Sequence, residues 1–217
     1  MYQEIINAFS DHANQVQAKK MSAYMKDNFP FLGITKPQRA ELEKEFIKRV
    51  KTQNKVDWDF VFTLWNLPER EYQYLAVDYL LALKNSLQIA DMDKIKLLIT
   101  KKSWWDSIDS LAGNIIGFLC AKHPELIQSH ILSWSESDNV WLVRIAILFQ
   151  LKYRANTYTE LLALVIDKNS SNSEFFVVKA IGWALREYSK TNKEWVKLFL
   201  QSHKLQPLSV REASKYL

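Results

Sequence analysis

Glycine, proline and cysteine are scarce in this sequence. Its 217 residues include 4 Gly, 5 Pro and 1 Cys. Tight β-hairpin turns rely on Gly, so a fold built from many hairpins is excluded. A Gly-rich phosphate loop and a G-x-S-x-G nucleophile elbow are also missing. The single Cys120 cannot form an intramolecular disulfide, and its place in an apolar run predicts a buried, inert thiol in a reducing compartment.

Long apolar runs and histidine clusters are missing as well. No apolar run approaches about 20 residues, the length of a membrane span, and the N-terminus has no signal-peptide pattern. We therefore expect a soluble, cytoplasmic protein with no membrane partner. The histidines show neither metal-ligand spacing nor Cys partners, so no metal site is predicted. They are His12, His123, His130 and His203.

The residues that are abundant favour helices. Long stretches rich in Leu, Ala, Lys, Glu and Gln predict an all-α protein. The formal net charge is +5, and residues 141–217 carry the excess, with 12 Lys and Arg against 6 Asp and Glu. Such asymmetry is compatible with an ordinary solvated surface and also with a polyanionic partner such as nucleic acid.

An internal repeat of about 35 residues organises residues 57–217, within the range of two-helix repeats. First helices are predicted to begin at Asp57, Asp91, His123-Pro124, Thr157 and Asn192, and second helices near Pro68-Glu69, Ser103-Trp104, Asp138-Asn139, Ser173-Glu174 and Leu208-Ser209. One such pair cannot bury its apolar face alone, so neighbouring pairs are expected to stack into a curved array. Residues 1–56 lie outside the period and are expected to form an N-terminal helical cap of the same single domain.

The repeat places charges at one equivalent position. With a period of about 35 residues, Tyr74, Asp109, Arg144 and Lys179 share a register. Arg144 and Lys179 interrupt apolar helices, where an unpaired buried charge is costly, so each needs a partner, a polar surface or a ligand. Asp109 and Arg144 either pair as a scaffold ladder between adjacent repeats, or line a concave binding groove with Lys179.

Two tryptophans lie one helical turn from these charges. Trp105 precedes Asp109 by four residues and Trp183 follows Lys179 by four, so each shares a helix face with a charge. The mid-helix Gly182 costs about 1 kcal/mol relative to Ala. Close packing of another helix and close approach of a nucleic-acid backbone explain that glycine equally well.

Several segments resemble the AlkD-like DNA alkylation repair glycosylases, and the likeness runs over nearly the whole chain. The C-terminal segments are KSWWDSID, NVWLVRIAILFQLKY, FFVVKAIGWALREYSK and PLSVREASKYL, and the N-terminal ones are AYMKDNFPFLGI and LPEREYQ. The expected fold is then an all-α, right-handed α-solenoid of HEAT-like two-helix repeats, with residues 57–217 forming about five pairs. Val143 and Val178 stand where family members can carry polar residues, which indicates fewer backbone contacts to DNA.

The resemblance implies an activity and its residues. It implies a monomeric enzyme that acts near the nucleoid and hydrolytically removes N3- and N7-alkylated purines from duplex DNA, without a metal or an organic cofactor. The family's functional positions fall on Trp105, Asp109, Arg144 and Trp183, and Tyr24 matches an aromatic position beside the same site. The resemblance also implies contacts to sugar and phosphate with the base left outside any pocket.

These residues suggest a mechanism. An ionised Asp109 would stabilise an oxocarbenium-like sugar and orient water at C1′. Trp105 and Trp183 would present their electron-rich faces to the cationic deoxyribose. Arg144, helped by Lys179, would hold a phosphate near the lesion without reading sequence.

Two other functions compete with this interpretation. One is a non-catalytic helical-repeat protein that binds damaged or branched DNA, and the other is a scaffold that binds a peptide in its concave face. Retention of Asp109 beside both tryptophans favours catalysis, because an architectural DNA binder has no use for an acidic group in its groove. Steep weakening of binding with salt would indicate phosphate contacts rather than an apolar peptide groove.

Overall fold

The computed structural model describes residues 1–217, and it contains helices and no strands. The predicted all-α class is therefore confirmed. The chain divides into two compact units, residues 1–87 and 88–217, which are described separately. No helix is long and apolar enough to cross a membrane. The prediction of a single solenoid domain with a cap ending at residue 56 stays a prediction.

The first unit contains five α-helices. They are α1 (Tyr2–Asp11), α2 (Gln15–Tyr24), α3 (Lys36–Gln53), α4 (Trp58–Asn66) and α5 (Arg70–Ala82). Capping residues explain where two of them start: the side chains of Asn14 and Asp57 accept hydrogen bonds from the N–H groups of Gln17 and Phe60. Asn54 ends α3 in a left-handed conformation, which Asn tolerates well.

A buried carboxylate orders the turn before α3. Glu71, on α5, is fully buried, and its oxygens accept hydrogen bonds from the backbone N–H groups of Leu32, Gly33 and Ile34 at 2.9, 2.8 and 3.1 Å. Gly33 has a positive φ of 90°, and a Cβ there would overlap the backbone of α2 and its cap. The three hydrogen bonds to Glu71 explain why its carboxylate is compatible with the core of this unit, since they offset the cost of removing it from water.

The second unit contains nine α-helices. They are α6 (Met92–Thr100), α7 (Trp105–Leu111), α8 (Gly117–Lys122), α9 (Leu132–Ser135), α10 (Val140–Leu148), α11 (Thr159–Lys168), α12 (Phe175–Ser189), α13 (Lys193–Ser202) and α14 (Pro207–Ala213). The helices α7, α10, α12 and α14 pack side by side in chain order, so each contacts the next member of the series. Their shared core holds Ile108, Leu111, Ile145, Leu148, Val177, Ile181 and Leu185.

The predicted helix starts agree well with the structure. Asp57, Asp91 and Asn192 are the N-cap residues of α4, α6 and α13. The second helices α5, α7, α10 and α12 have their N-caps at Glu69, Trp104, Asn139 and Glu174, as the repeat predicts. Two starts are displaced slightly: α11 has its N-cap at Tyr158 rather than at Thr157, and α14 begins at Pro207, just before the predicted Leu208-Ser209.

Between α7 and α8 the helix widens into a π-helical turn, Ala112–Ile116. Gly117 follows this turn, and a Cβ at that position would overlap the carbonyl oxygen of Phe149. The carbonyl of Gly117 accepts a hydrogen bond from the Tyr153 hydroxyl at 2.7 Å. A π-turn shifts the register of the helix by about one residue, often at functional sites, and here it lies directly after the turn that carries Asp109.

Gly182 has a packing explanation. A Cβ at this position would lie 2.6 Å from the Glu212 Cβ and 2.8 Å from the Ser209 carbonyl oxygen, both on α14. Distances this short do not occur between real side chains, so α12 and α14 approach closely only because residue 182 lacks a Cβ. Of the two explanations open from sequence, helix packing is therefore the one the structure supports.

Candidate active site

The centre of the candidate site is an ion pair between two consecutive members of the helix series. Arg144 on α10 donates from Nε to Asp109 Oδ1 at 2.7 Å and from Nη2 to Oδ2 at 2.9 Å. Its Nη1 donates to the carbonyl oxygen of Phe176, at the start of α12, at 2.6 Å. Such a bidentate fork fixes both the position and the plane of the carboxylate.

Both charged groups are largely removed from water. Arg144 is only 4% exposed, and Asp109 is mostly buried. Burial raises the pKa of Asp109, and the hydrogen bond and the charge of Arg144 oppose that effect. The nearby negative charge of Asp106 adds slightly to the increase. The result is an oriented carboxylate that solvent screens poorly, so its charge interacts strongly with nearby groups.

Trp183 lies beside this ion pair. The guanidinium carbon of Arg144 lies 5.9 Å from the centre of the Trp183 ring. Trp105 is the first residue of α7, one turn before Asp109, and is half-buried like Trp183. The structure thus brings Asp109, Arg144 and Trp183 together on α7, α10 and α12, and it places Trp105 on the Asp109 helix.

Lys179 lies one turn before Trp183 on α12 and is more accessible than Arg144. Its side chain is 43% exposed, its ammonium lies 5.9 Å from the centre of the Phe175 ring, and it is 3.9 Å from Glu212 Oε1. Lys179 therefore does not contact Asp109 as Arg144 does. Its nearest carboxylate belongs to α14.

An aromatic cluster that the sequence did not reveal packs behind the ion pair. The Trp104 ring lies 5.7 Å from that of Trp141 and 5.1 Å from that of Phe176, and Trp141 and Phe176 are 4.8 Å apart. The Trp104 and Trp141 rings therefore pack against Phe176, whose backbone carbonyl accepts the hydrogen bond from Arg144. Trp141 and Phe176 are 35 positions apart, so the repeat register contained a signal for this pair. Phe175, next in the chain, is exposed.

Tyr24 belongs to the first unit. It is exposed and lines a cavity of about 260 Å³ with Tyr74, Phe31 and Met25, among other residues of that unit. Tyr74 is the residue that shares the repeat register with Asp109. The structure places it in the same cavity as Tyr24. The place of Tyr24 beside Asp109 stays a prediction.

Comparisons with known proteins give a consistent result. A family model described as DNA alkylation repair enzyme matches residues 5–217. A solved structure described as a predicted DNA alkylation repair enzyme from Enterococcus faecalis is 35% identical, with a TM-score of 0.86 over 94% of this chain and 96% of that one. A crystal structure from Streptococcus mutans UA159, at 22% identity and a TM-score of 0.59 over 82% and 96%, shares the fold. No curated protein matches.

Proposed function

The chain belongs to the DNA alkylation repair enzyme family, and on that premise we propose that it is a monofunctional DNA glycosylase. Membership supports an enzyme role in DNA repair with DNA as the substrate. The finer proposal is that the enzyme hydrolyses the N-glycosidic bond of N3- and N7-alkylated purines in duplex DNA. The observation that carries it is the buried, bidentate Asp109–Arg144 pair beside an aromatic side chain.

The chemistry suits a site whose only strong feature is an oriented carboxylate. Alkylation at N3 or N7 gives the purine a positive charge, so the bond to C1′ breaks with its electron pair moving to the base. The sugar then becomes an oxocarbenium-like cation, which the negative charge of Asp109 stabilises. Water adds to C1′ and loses a proton, and the free base and an abasic sugar result.

Arg144 has two roles in this proposal. It orients Asp109 and opposes the effect of burial on the pKa of that carboxyl. A guanidinium has five N–H groups, and three of those on Arg144 donate to Asp109 and to the Phe176 carbonyl. The remaining two lie on the terminal nitrogens and are proposed to reach a phosphate near the lesion, together with the more exposed Lys179.

The aromatic side chains are proposed to hold the sugar. Trp105 and Trp183 each lie one turn from a charged residue of the site, and their π-faces attract a cationic deoxyribose with about 0.5–2 kcal/mol each when water is excluded. Neither tryptophan lines the cavity of about 370 Å³ in the second unit. This placement supports recognition of the backbone rather than capture of the base in that cavity.

The proposal is tested by incubating the protein with a duplex that contains one 7-methylguanine and measuring the free base. We expect release well above the spontaneous rate measured in buffer alone. A protein that binds this duplex with strong salt dependence but releases no base would instead be the non-catalytic DNA binder. Duplex binding that does not weaken with salt would mean that the protein does not contact phosphates, which would favour the scaffold with an apolar peptide groove.

The pH dependence of excision is expected to reveal Asp109. The reaction needs the ionised carboxylate, and burial raises its pKa above the ordinary Asp value of about 3.9. The single-turnover rate should therefore be constant above that pKa and fall as pH decreases through it, at a higher pH than for an exposed Asp.

The neighbouring Asp106 provides a control for this assignment. Its negative charge raises the pKa of Asp109, so Asp106→Asn should move the acidic limb of the profile to lower pH. The measurement is the rate of 7-methylguanine release against pH, corrected for spontaneous loss. A limb that stays in place in this variant, or that moves to higher pH, would assign the titration to another group.

A further inference from the structure

Glu212 is a buried carboxylate with three basic partners. It lies on α14, is 4% exposed, and accepts a hydrogen bond from Arg186 Nη1 on α12 at 2.8 Å. Lys215 Nζ lies 2.9 and 2.8 Å from its two oxygens, and Lys179 Nζ lies 3.9 Å from Oε1. One carboxylate therefore faces three cations, which leaves two positive charges uncompensated.

The close packing of α12 on α14 puts Glu212 in this position. The absence of a side chain at Gly182 lets the Glu212 Cβ come close to α12, and Ser209 Oγ donates to the carbonyl oxygen of Val178 at 2.7 Å. The carboxylate is thereby fixed at the α12 surface, and the hydrogen bond from Lys215 is the main reason that the pKa of Glu212 is lowered. It stays ionised at and well below neutral pH.

The cations held by Glu212 lie on both sides of a residue of the candidate site. Lys179, Trp183 and Arg186 follow one another at spacings of four and three on α12, so they share one face of that helix. Lys179 and Lys215 are 43% and 48% exposed, and each ammonium has three donors. Donors therefore remain available to a ligand that approaches Trp183.

We propose that Glu212 organises Lys179, Arg186 and Lys215 into a cluster that binds one or two backbone phosphates of the DNA strand next to the sugar held at Trp183. This inference rests on the proposed function. Phosphates of one strand follow each other about every 3.4 Å along the axis, so a compact cluster with a surplus of two charges fits one or two of them. Glu212 is a positioning residue, because without it three like charges would repel one another and separate.

The expected effect of Glu212→Gln on DNA affinity is opposite to the one that simple charge counting gives. Glu212→Gln removes a negative charge from a DNA-binding surface, which by itself would strengthen binding. We expect weaker binding to an undamaged duplex instead, and a plot of log K against log salt whose slope is smaller by at least about one unit, because fewer phosphates are neutralised.

Glu187→Gln is the matched control. Glu187 is also on α12 and pairs with one cation, Lys190, at 2.6 Å, but it is more exposed. Its substitution should leave the slope unchanged and the affinity equal or slightly higher. Equal or tighter binding by Glu212→Gln with an unchanged slope would overturn the proposal.

A second variant keeps the test decisive if Glu212→Gln does not fold by circular dichroism. Lys215→Gln changes an exposed side chain and should reduce the slope by about one, and an unchanged slope there would equally overturn the proposal. Failure of the proposed function is a separate result. A wild-type protein that binds duplex with a steep salt dependence and shows these effects, yet releases no 7-methylguanine, contradicts the glycosylase and leaves the phosphate cluster supported.

Discussion

Asp109→Asn is expected to lower the single-turnover rate of 7-methylguanine release by about 10²-fold or more, which is typical for loss of an electrostatic stabiliser. Asparagine keeps the shape of the side chain and still offers an oxygen to Arg144, but it has no charge with which to stabilise the sugar cation. DNA affinity should be unchanged or slightly higher, because a negative charge has left the binding surface.

The control for this variant is Asp106→Asn. Asp106 lies on the same helix, and its carboxylate accepts a hydrogen bond from the neighbouring Ser107 N–H at 2.8 Å. We expect release at neutral pH within a few-fold of wild type. In Asp109→Asn, by contrast, the buried Arg144 loses its ionic partner, so the melting temperature of that variant is expected to fall. Excision at nearly the wild-type rate by a folded Asp109→Asn protein would remove Asp109 from the mechanism.

Uracil in the same duplex is expected to be released at least about 10²-fold more slowly than 7-methylguanine, since the site has no group that stabilises a neutral leaving base. The base must then leave as an anion or be protonated. Near Trp183, the ionisable groups that contact one another are Asp109 with Arg144, and Glu212 with Lys179, Arg186 and Lys215. None of them is a histidine, and Asp109 has to be ionised for its own task.

The size of a cationic lesion should matter much less than its charge. A site that holds sugar and phosphate places little steric demand on the base, so a bulky N7 adduct with a positive charge should be released at a rate close to that of 7-methylguanine. The measurement compares single-turnover rates for the three lesions in one sequence context. Rapid uracil release would show that a protonated group acts as a general acid, and rejection of the bulky cation would show a shaped base pocket.

Much of the helical framework could be predicted because its signals are local. Asp57, Asn139 and Asn192 are such signals, because a side chain that accepts hydrogen bonds from the first N–H groups marks a helix start directly in the sequence. The segment predicted to begin at His123-Pro124 is less regular, with a π-helical turn at Ile127–Ile131 before α9. The capping residues at a helix start contain no information about a π-helical turn inside the helix.

The site could be predicted in part for the same reason. Register placed Asp109 and Arg144 at equivalent positions, and the structure joins them directly. The sequence left open whether they form a ladder or line a groove, and the geometry allows both at once, because Arg144 holds the carboxylate of Asp109 and also lies 5.9 Å from the centre of the Trp183 ring. The depth at which Arg144 is buried depends on the packing of α7, α10 and α12, which no single segment contains.

The burial of Glu212 on α14 could not be predicted from the sequence. Glu212 lies in the short segment REASK, where its neighbours suggest an ordinary exposed helix. Its burial follows from Gly182, which is 30 positions earlier and has meaning only when α12 and α14 are packed together. The repeat register predicts Lys179 as a site residue but contains no signal for its partner Glu212, because tertiary packing alone brings the two together.

The bonds of Arg144 also have a consequence for local unfolding. Its guanidinium is tied to α7 through Asp109 and to α12 through the Phe176 carbonyl, with sequence separations of 35 and 32 residues. The arrangement therefore exists only while three helices from successive segments are folded together. In a stack held by nearest-neighbour contacts, partial opening at one end is the cheapest fluctuation. Opening that reaches α12 would remove the Phe176 carbonyl that fixes the Arg144 guanidinium, while α7 and α10 stay helical and keep the bonds between Arg144 and Asp109. Amide protection at the start of α12 therefore reports on the fraction of molecules in which all three helices hold Arg144.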